Sequence, residues 1–245
     1  MGTDDYFDGY IDQLAILFNR SKTNVEILAD ATLVAYYSMD CTTIDSGPNH
    51  MASTAVDLSS GDDGRVQQSF LFNLHSSYFQ VTQLLLLGQS CRSFSFAMWL
   101  RPIVSVTLGG TILHLSRNTD GTGSCAQLIG LSSLGQIVVH GLNASSLVEL
   151  VGPVLKTGEW IHIVETYSET NGLRLYANGT LSGQSSPFSY AASGVLMTVT
   201  LGQALNGENC LHGTIRVGYY RGEIDEFYIY SRELSQAHVT ALVNA

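Results

Sequence analysis

The sequence is poor in charged side chains, because Asp, Glu, Lys and Arg make up only 13% of its 245 residues. Soluble domains contain about 25%. The charges are also unbalanced, with 21 acidic against 11 basic side chains and a formal net charge of −10 at pH 7. Such a chain repels polyanions and is compatible with bound cations. The composition therefore argues against nucleic acid or an anionic membrane as a partner.

Long apolar stretches are missing as well. No run approaches the roughly 20 consecutive apolar residues that a membrane-spanning helix needs. The chain begins MGTDDYFDG, which is acidic and has no apolar core, so it lacks the pattern of a secretion signal. If the protein is secreted, we expect this chain to be an excerpt or its signal to have been removed.

Catalytic motifs are absent. The seven histidines are scattered without an HExxH pattern, and neither a GxSxG nor a phosphate-binding loop occurs. We interpret each histidine as a strand or loop residue rather than as a metal ligand. The sequence predicts no enzymatic site.

The few cysteines exclude two classes of site. Cys41, Cys91, Cys125 and Cys210 form no CxxC pair, which argues against a zinc ribbon or a thioredoxin-like centre. Their even number favours two disulfides, for which three connectivities are possible. The alternative is four buried free thiols in a cytosolic protein.

Three N-glycosylation sequons favour an oxidising, extracellular compartment. They start at Asn19, Asn143 and Asn178. We expect glycans at Asn178, at the tip of a tight hairpin, and at Asn143, in a loop between strands. Asn19 is a third candidate, although it follows a strand that must pack against something.

Short alternating runs rich in Thr, Ser and β-branched residues predict about thirteen strands and one or two short helices. Residues 93–102, SFSFAMWLRP, predict a central strand with Trp99 on its second face. Residues 51–66 are predicted to be a polar loop, residues 69–73 and 77–81 a hairpin, and residues 215–219 a strand. Asn178-Gly179 predicts a type I′ turn. Many short antiparallel strands with polar turns predict a two-sheet sandwich.

The tail of the chain occurs twice. GEIDEFYIYSREL at residues 222–234 is similar to GYIDQLAILFNRS at residues 9–21. In both copies a strand-like run precedes a helix start, marked by a capping box at Thr23 and Glu26 and by a cap at Ser235. We interpret residues 1–31 as an N-terminal arm, formed by the tail strand and short helix of a preceding repeat and a linker. Residues 32–245 form the domain proper.

Four segments carry a family resemblance: YYSMD at residues 36–40, FAMWLRP at 96–102, GEWIHIVETYSETNGLRLYANG at 158–179, and GEIDEFYIYSRELS at 222–235. In this order they resemble the laminin-G-like, concanavalin A-like domain over residues 32–245. The sequence is also similar to tandem repeats of very long secreted proteins of small aquatic invertebrates. The resemblance implies an all-β jelly-roll sandwich of two antiparallel sheets.

Glycosidases of the laminarinase type have a similar fold and carry three acids on one strand, spaced Glu-x-Asp-x-Glu or Glu-x-Asp-x-x-Glu. Glu223 and Asp225 fit the first two places, but the third is Phe227 or Tyr228. Because no second carboxylate stands at the separation that hydrolysis requires, we expect no glycosidase activity.

The resemblance also implies a structural Ca²⁺ ion where the first strand meets the last, held by one acid from each and by backbone carbonyls. This points to Asp225 in the tail and to Asp40 or Asp45 near the start, with Asn73 as a further candidate. The alternative is that Asp225 caps a turn or meets a surface arginine. The resemblance further implies two disulfides, Cys125 with Cys210 and Cys41 with Cys91.

We expect a non-enzymatic extracellular structural or adhesive module that assembles end to end, as a tandem array or a filament. The arm supplies an apolar strand, yet the domain already has its own tail. The arm should therefore complete a neighbouring module. The residues that it would bury are Tyr6, Ile11, Leu14, Ile16 and Leu17.

The alternative function is a calcium-dependent, glycan-binding lectin-like domain. Lectins of the resembling fold bind sugars with loops that present aromatic, Asn and acidic side chains. Tyr190, Tyr219 and Tyr220 are candidate loop aromatics, although no local motif identifies a sugar site.

Overall fold

The structure, a computed structural model, describes residues 21–61, 63–144 and 146–244. Within them, helices α1 (Asn24–Thr32) and α2 (Gln236–Val243) flank fifteen strands. The first eight are β1 (Leu33–Tyr37), β2 (Ser53–Val56), β3 (Ser59–Gly61), β4 (Ser69–Phe72), β5 (Tyr78–Leu84), β6 (Phe94–Pro102), β7 (Gly110–Ser116) and β8 (Ala126–Leu131). The remaining seven are β9 (Gln136–Asn143), β10 (Ser146–Val154), β11 (Ile161–Ser168), β12 (Gly172–Ala177), β13 (Thr180–Gln184), β14 (Met197–Leu201) and β15 (Gly222–Tyr230).

The strands form two sheets. The first sheet has the order β13-β12-β11-β6-β15-β4-β3, and β1 also pairs with β15. The second sheet has the order β10-β9-β8-β7-β14-β5-β2. All pairings between these strands are antiparallel. The predicted all-β sandwich of two antiparallel sheets is confirmed.

The hydrophobic core lies between the sheets because apolar side chains recur at every second position. On β6, Phe94, Phe96, Met98 and Leu100 are fully buried in this core. Trp99 points to the opposite face of the sheet and is also nearly buried. This strand has the two-sided character that its sequence predicts.

A second apolar cluster lies on the outer face of the first sheet, where α2 packs. Its members come from β6, β11, β12, β15, α2 and the segment that joins β15 to α2: Ala97, Val164, Tyr176, Tyr230, Val239 and Leu234. Helix α2 begins as predicted, because the Ser235 hydroxyl accepts a hydrogen bond from the His238 N–H at 3.4 Å. The capping box is also present, with Thr23 Oγ1 accepting from the Glu26 N–H at 3.2 Å.

Three predictions about strands are wrong. Residues 51–66 contain β2 and β3 rather than loop alone. The predicted hairpin at residues 69–81 does not form, because β4 pairs with β15 and β3 in the first sheet while β5 pairs with β14 and β2 in the second. The connection between β4 and β5 crosses from one sheet to the other. The alternating pattern of the two runs cannot distinguish such a crossing from a hairpin. Residues 215–219 make only isolated bridges.

One acidic side chain faces the core. Glu165 on β11 shares its face with the buried side chains of Ile163 and Tyr167. It is fully buried, and neither carboxylate oxygen has a hydrogen-bond partner in the described part of the chain. Burial raises the pKa of Glu165 well above its usual value, because a charge is poorly solvated there. Burial therefore favours the neutral form of this carboxyl group.

Candidate functional site

Two long loops lie across the outer face of the second sheet. One joins β7 to β8 and the other joins β14 to β15. The Asn206 N–H donates to the Asp120 carbonyl at 3.0 Å, and the Gln127 N–H donates to the Leu211 carbonyl at 2.7 Å. The disulfide of Cys125 with Cys210 is present as predicted, with a Cα–Cα distance of 5.4 Å. It ties the start of β8 to the second loop.

Buried polar side chains lie beneath these loops and hold them. His114 Nε2 lies 2.8 Å from the Gly121 carbonyl oxygen, and Gln127 Nε2 donates to the Gly207 carbonyl at 3.2 Å. His140 contacts the Gln127 carbonyl oxygen through Nδ1, at 2.7 Å, and the Glu149 carboxylate through Nε2, at 2.8 Å. Burial lowers the pKa of His114. His114 and Gln127 attach the loops to the sheet. His114 lies on β7 and His140 on β9, which agrees with interpreting these two histidines as strand residues.

An open cleft of about 410 Å³ lies beside the loops, and we call it the His75 cleft. A narrow extension towards Tyr219 shares His75, Gln203 and Leu205 with it. The rest of the lining comes from β2, β5, their neighbouring turns and the two crossing loops. It includes Val56, Ser76, Tyr78, Thr119, Asp120 and Asn206, with Glu208 and Val217 in the extension.

The aromatic side of the cleft is built around Tyr219. The His75 ring meets the Tyr219 ring edge-on, with centroids 5.2 Å apart. The Arg221 guanidinium lies over the Tyr219 ring at 5.7 Å. The backbone there is fixed, because the Thr111 N–H donates to the Gly218 carbonyl at 2.8 Å. The cleft thus presents partly exposed ring surface from a loop held to β7.

The polar side of the cleft is also fixed. Gln203 Nε2 donates to the Ser77 carbonyl at 3.2 Å, which leaves the Gln203 amide oxygen as an acceptor. Asp120 Oδ1 accepts from the Thr122 N–H at 3.0 Å and from its hydroxyl at 2.6 Å. These two hydrogen bonds lower the pKa of Asp120. The rim therefore carries a reliably ionised carboxylate and several hydrogen-bonding groups on loops that hold each other.

Only one of the three predicted loop aromatics reaches this site. Tyr219 lies in the cleft extension. Tyr190 and Tyr220 are only 1% exposed and belong to the core. His75 and Tyr78 were not predicted as site residues, because no local motif marks residues that tertiary packing brings together from distant segments.

The predicted disulfide of Cys41 with Cys91 is wrong, because both are free, exposed cysteines. The strand register gives the reason. Cys41 follows the end of β1, where Tyr37 faces Phe227, whereas Cys91 precedes β6, which reaches Tyr230 at its near end. The rise from residue 227 to residue 230 alone places about 10 Å between them along the strands. A disulfide needs Cα atoms closer than about 7 Å.

The predicted calcium ligands are engaged by N–H donors. Asp45 accepts from the backbone N–H groups of residues 36, 47 and 51, and Asp225 accepts from those of residues 65, 66 and 226. Asp40 accepts from the Gln68 N–H at 2.9 Å. Residues 21–61, 63–144 and 146–244 contain no group of three or more His, Cys, Asp or Glu side chains placed to hold a metal ion. Calcium binding at these residues, with Asn73 as a further candidate, stays a prediction.

The acids of the tail are engaged by neighbouring groups. Glu223 is nearly buried and pairs with Arg101, while Asp225 lies under the loop at residues 65–66. Burial raises the pKa of Asp225 to about 7, against the lowering effect of its N–H donors. Between β15 and β6 the register shifts after Asp225, and Glu226 has a φ of 52°. The bulge turns the Glu226 carboxylate towards Tyr36 and Tyr228, whose hydroxyls donate to it.

The sequons stay a prediction of glycosylation. Asn178 and Gly179 form the turn between β12 and β13, with φ values of 48° and 79°. Asn178 is exposed, and its Oδ1 accepts from the His162 N–H at 2.9 Å. Asn143 is exposed at the end of β9. Asn19 lies outside the described residues.

We expect expression through a secretory pathway to add glycans at Asn178 and Asn143, because both side chains are accessible at turns. Intact mass before and after peptide-N-glycosidase treatment should fall by two glycan masses, and by one in Asn178→Gln or Asn143→Gln. An unchanged mass after treatment of secreted protein would contradict the expectation.

The predicted assembly residues, Tyr6, Ile11, Leu14, Ile16 and Leu17, also lie outside the described residues. End-to-end association and the domain boundary at residue 32 stay predictions. Among the helices that the structure describes, none is long and apolar enough to cross a membrane.

Two solved structures with a similar fold are toxin binding domains. The binding domain of Paraclostridial Mosquitocidal Protein 1 is 18% identical, with a TM-score of 0.64 over 88% of this chain and 52% of that one. The binding domain of botulinum neurotoxin serotype G is 17% identical, with a TM-score of 0.62 over 86% and 50%. This chain therefore spans about half the length of these toxin domains.

A third structure matches over nearly its whole length. It is domain 4 of AbnA, an extracellular arabinanase from Geobacillus stearothermophilus, in complex with arabinotriose. The identity is 18% and the TM-score 0.57, over 86% of this chain and 98% of that one. At these identities the likeness shows the fold alone. No curated protein sequence matches the chain.

A family profile identifies the protein family, in agreement with the two-sheet sandwich. The laminin G type profile described as the concanavalin A-like lectin/glucanases superfamily matches residues 73–240. The match runs from the turn before β5, which carries His75, through both crossing loops to α2. The chain belongs to the concanavalin A-like lectin/glucanases superfamily.

Proposed function

We propose that the protein is a non-enzymatic, extracellular binding module that holds a neutral glycan in the His75 cleft. The single observation that carries the proposal is the composition of that cleft and its extension, which together are lined by the rings of His75 and Tyr219 and by fixed acceptors on Gln203 and Asp120. Support from the fold is general, since two of its structural neighbours are toxin binding domains. A third neighbour, domain 4 of AbnA, was solved with arabinotriose.

The chemistry of the cleft matches a sugar. A pyranose or furanose ring has one face of C–H groups that packs on an aromatic ring, whose face carries partial negative charge. Its hydroxyls need acceptors and donors that are already in place, because ordering them on binding costs affinity. The carboxylates of Asp120 and Glu208 accept hydrogen bonds from hydroxyls and repel anionic sugars. A neutral glycan therefore fits better than an acidic one.

An extracellular location is part of the proposal. It is supported by the Cys125–Cys210 disulfide, since disulfides persist in oxidising compartments. The family also supports it, because laminin-G-like domains are usually extracellular.

Removing the central ring should weaken glycan binding. We expect Tyr219→Ala to lower the affinity for a bound neutral glycan at least tenfold, about 1.4 kcal/mol, because the stacking surface is lost. Arabinotriose is the first probe, and a glycan array identifies better ones. Affinity is measured by isothermal titration calorimetry or by NMR shifts of Tyr78 and Asn206.

The matched control is Trp160→Ala, which removes an aromatic side chain that packs under Arg101 outside the cleft. It should leave glycan affinity unchanged. The proposal fails if no neutral glycan binds in the presence or absence of Ca²⁺, or if binding survives Tyr219→Ala. A requirement for Ca²⁺ would support the calcium-dependent lectin, and a higher Ca²⁺ concentration needed for glycan binding in Asp225→Asn would support Asp225 as a ligand.

End-to-end assembly remains the proposed structural or adhesive role of the chain. It rests on the duplicated tail, whose sequence predicts two strands of one kind for a single domain. Light scattering that compares the full chain with the Ile11→Asp/Ile16→Asp variant tests end-to-end assembly. Identical monomer masses for both would end the proposal.

A further inference from the structure

A second cavity, separate from the His75 cleft, lies at the opposite edge of the crossing loops. It encloses about 260 Å³ and is lined mainly by carbon. Its floor consists of core side chains that are at most 3% exposed: Leu87, Leu115, Tyr190 and Met197. Its mouth is formed by exposed residues that include Ser124, Ser193 and Leu211. We call it the Met197 pocket.

Hydrogen bonds fix the segments around the Met197 pocket and keep it open. The Ala191 N–H donates to the Leu142 carbonyl at 2.9 Å, and the Gly194 N–H donates to the Gly88 carbonyl at 2.8 Å. The Tyr190 hydroxyl donates to the Leu87 carbonyl at 3.3 Å. Collapse of the loop at residues 190–194 onto the floor would break these bonds.

Water is a poor occupant of the floor. A water molecule in a cavity needs two to four polar partners, and apolar cavities of about 150 Å³ stay dry and accept benzene. The side chains of the floor offer almost no polar partners for water. The one hydroxyl among them, that of Tyr190, already donates to the Leu87 carbonyl. Protein interiors contain few voids of this size, because the lining atoms lose contacts. An apolar molecule would recover these contacts.

The lining also restricts the charge and size of the occupant. Among the lining residues that the structure describes, none carries an ionisable acid or base apart from the buried phenol of Tyr190. Burial raises the pKa of that phenol, so it stays neutral. Scaling from benzene in about 150 Å³, a 260 Å³ pocket holds about ten non-hydrogen atoms. Hydroxyl groups at the mouth, from Ser124 and Ser193, can meet one polar group of the occupant.

We propose that the Met197 pocket binds a neutral, mainly apolar small molecule of about ten non-hydrogen atoms, with any hydroxyl group at the mouth. The proposal is independent of the glycan site, because the two cavities share no lining residue. Either can fail without the other.

The test uses 2-naphthol as the neutral probe and 2-naphthoate as its charged counterpart. Protein labelled with ¹³C at methionine methyl groups reports binding at Met197, whose signal is assigned with Met197→Leu. We expect 2-naphthol to shift the Met197 signal in a saturable manner, and 2-naphthoate to bind at least tenfold more weakly. Ala192→Phe, at the pocket wall, should fill the space and weaken 2-naphthol binding at least tenfold.

Ala237→Phe on the exposed side of α2 is the matched control and should bind 2-naphthol as the parent does. Leu211→Trp, at the mouth, provides a second blocking variant if Ala192→Phe fails to fold. The proposal is overturned if 2-naphthol leaves the Met197 signal unshifted. It is also overturned if both blocking variants bind 2-naphthol as tightly as the parent protein does. Self-association of the parent that Ala192→Phe abolishes would also overturn it, because a side chain of a second copy would then be the occupant.

Discussion

Replacing Cys125 and Cys210 together by serine is expected to lower the free energy of unfolding by about 4 kcal/mol. The disulfide closes a loop with a sequence separation of 85 residues, and it restricts the unfolded chain most when the closed loop is long. In the folded state it holds the second crossing loop to β8 beside the Gln127–Leu211 hydrogen bond. Chemical denaturation of parent and variant measures the difference.

The same chain provides the control. Cys41→Ser/Cys91→Ser removes two exposed free thiols and should change stability by less than about 0.5 kcal/mol. In the Cys125→Ser/Cys210→Ser variant, amide hydrogen exchange should accelerate in residues 117–124 and 203–211 before the rest of the sandwich. A loss below about 1 kcal/mol, or exchange that accelerates uniformly, would show that the crossing loops do not depend on the disulfide.

Glu165→Leu is expected to stabilise the protein, increasingly so as the pH rises. In the unfolded chain the Glu165 carboxyl ionises near the ordinary glutamate pKa of 4.5, whereas burial raises its pKa in the folded state. The folded state therefore holds a proton that the unfolded state releases. From this group alone, the free energy of unfolding falls by about 1.4 kcal/mol per pH unit between pH 4.5 and the folded-state pKa.

Two substitutions separate the charge from the missing hydrogen bonds. Glu165→Gln removes the titration but leaves a buried polar group without partners. Glu165→Leu removes both the titration and the unpaired polar group. Its free energy of unfolding should exceed that of Glu165→Gln by about 1–3 kcal/mol. Urea denaturation from pH 5 to pH 8 gives the slopes. Asp225 titrates in all three proteins, so its contribution cancels in the differences.

Glu159→Gln is the control for the pH experiment, because it makes the same carboxylate-to-amide change at an exposed position beside Lys156. If Glu165→Leu shows the same pH dependence as the parent, or is less stable than the parent at pH 8, then Glu165 has partners in solution that this arrangement does not contain.

The strand pattern of this protein was predictable because alternation is a local property. Residues 93–102 carry apolar side chains at every second position, and β6 buries them in the core. Capping at Thr23 and Ser235, and the turn at Asn178-Gly179, depend on residues within four positions of one another. The inward-facing Glu165 stands in phase with Ile163 and Tyr167, so alternation could have predicted its burial, although it was not singled out from the sequence.

The sheet to which a strand belongs is not local. SFLFN and SYFQV alternate in the same way, yet β4 and β5 lie in opposite sheets because the chain crosses the sandwich between them. The predicted disulfide between Cys41 and Cys91 is wrong for a related reason. The separation of Cys41 from Cys91 depends on how β1 and β6 align with β15, and spacing along the chain does not report it.

The sequence by itself therefore determined the all-β class, the helix starts, the tight turn and the family, since each rests on short-range patterns or on a whole-chain resemblance. Only the tertiary structure decided where function can reside. The His75 cleft combines residues from segments near positions 56, 75, 119, 203 and 219, and the Met197 pocket combines another such set. Cavities form where distant segments fail to fill space completely, and that depends on packing in three dimensions.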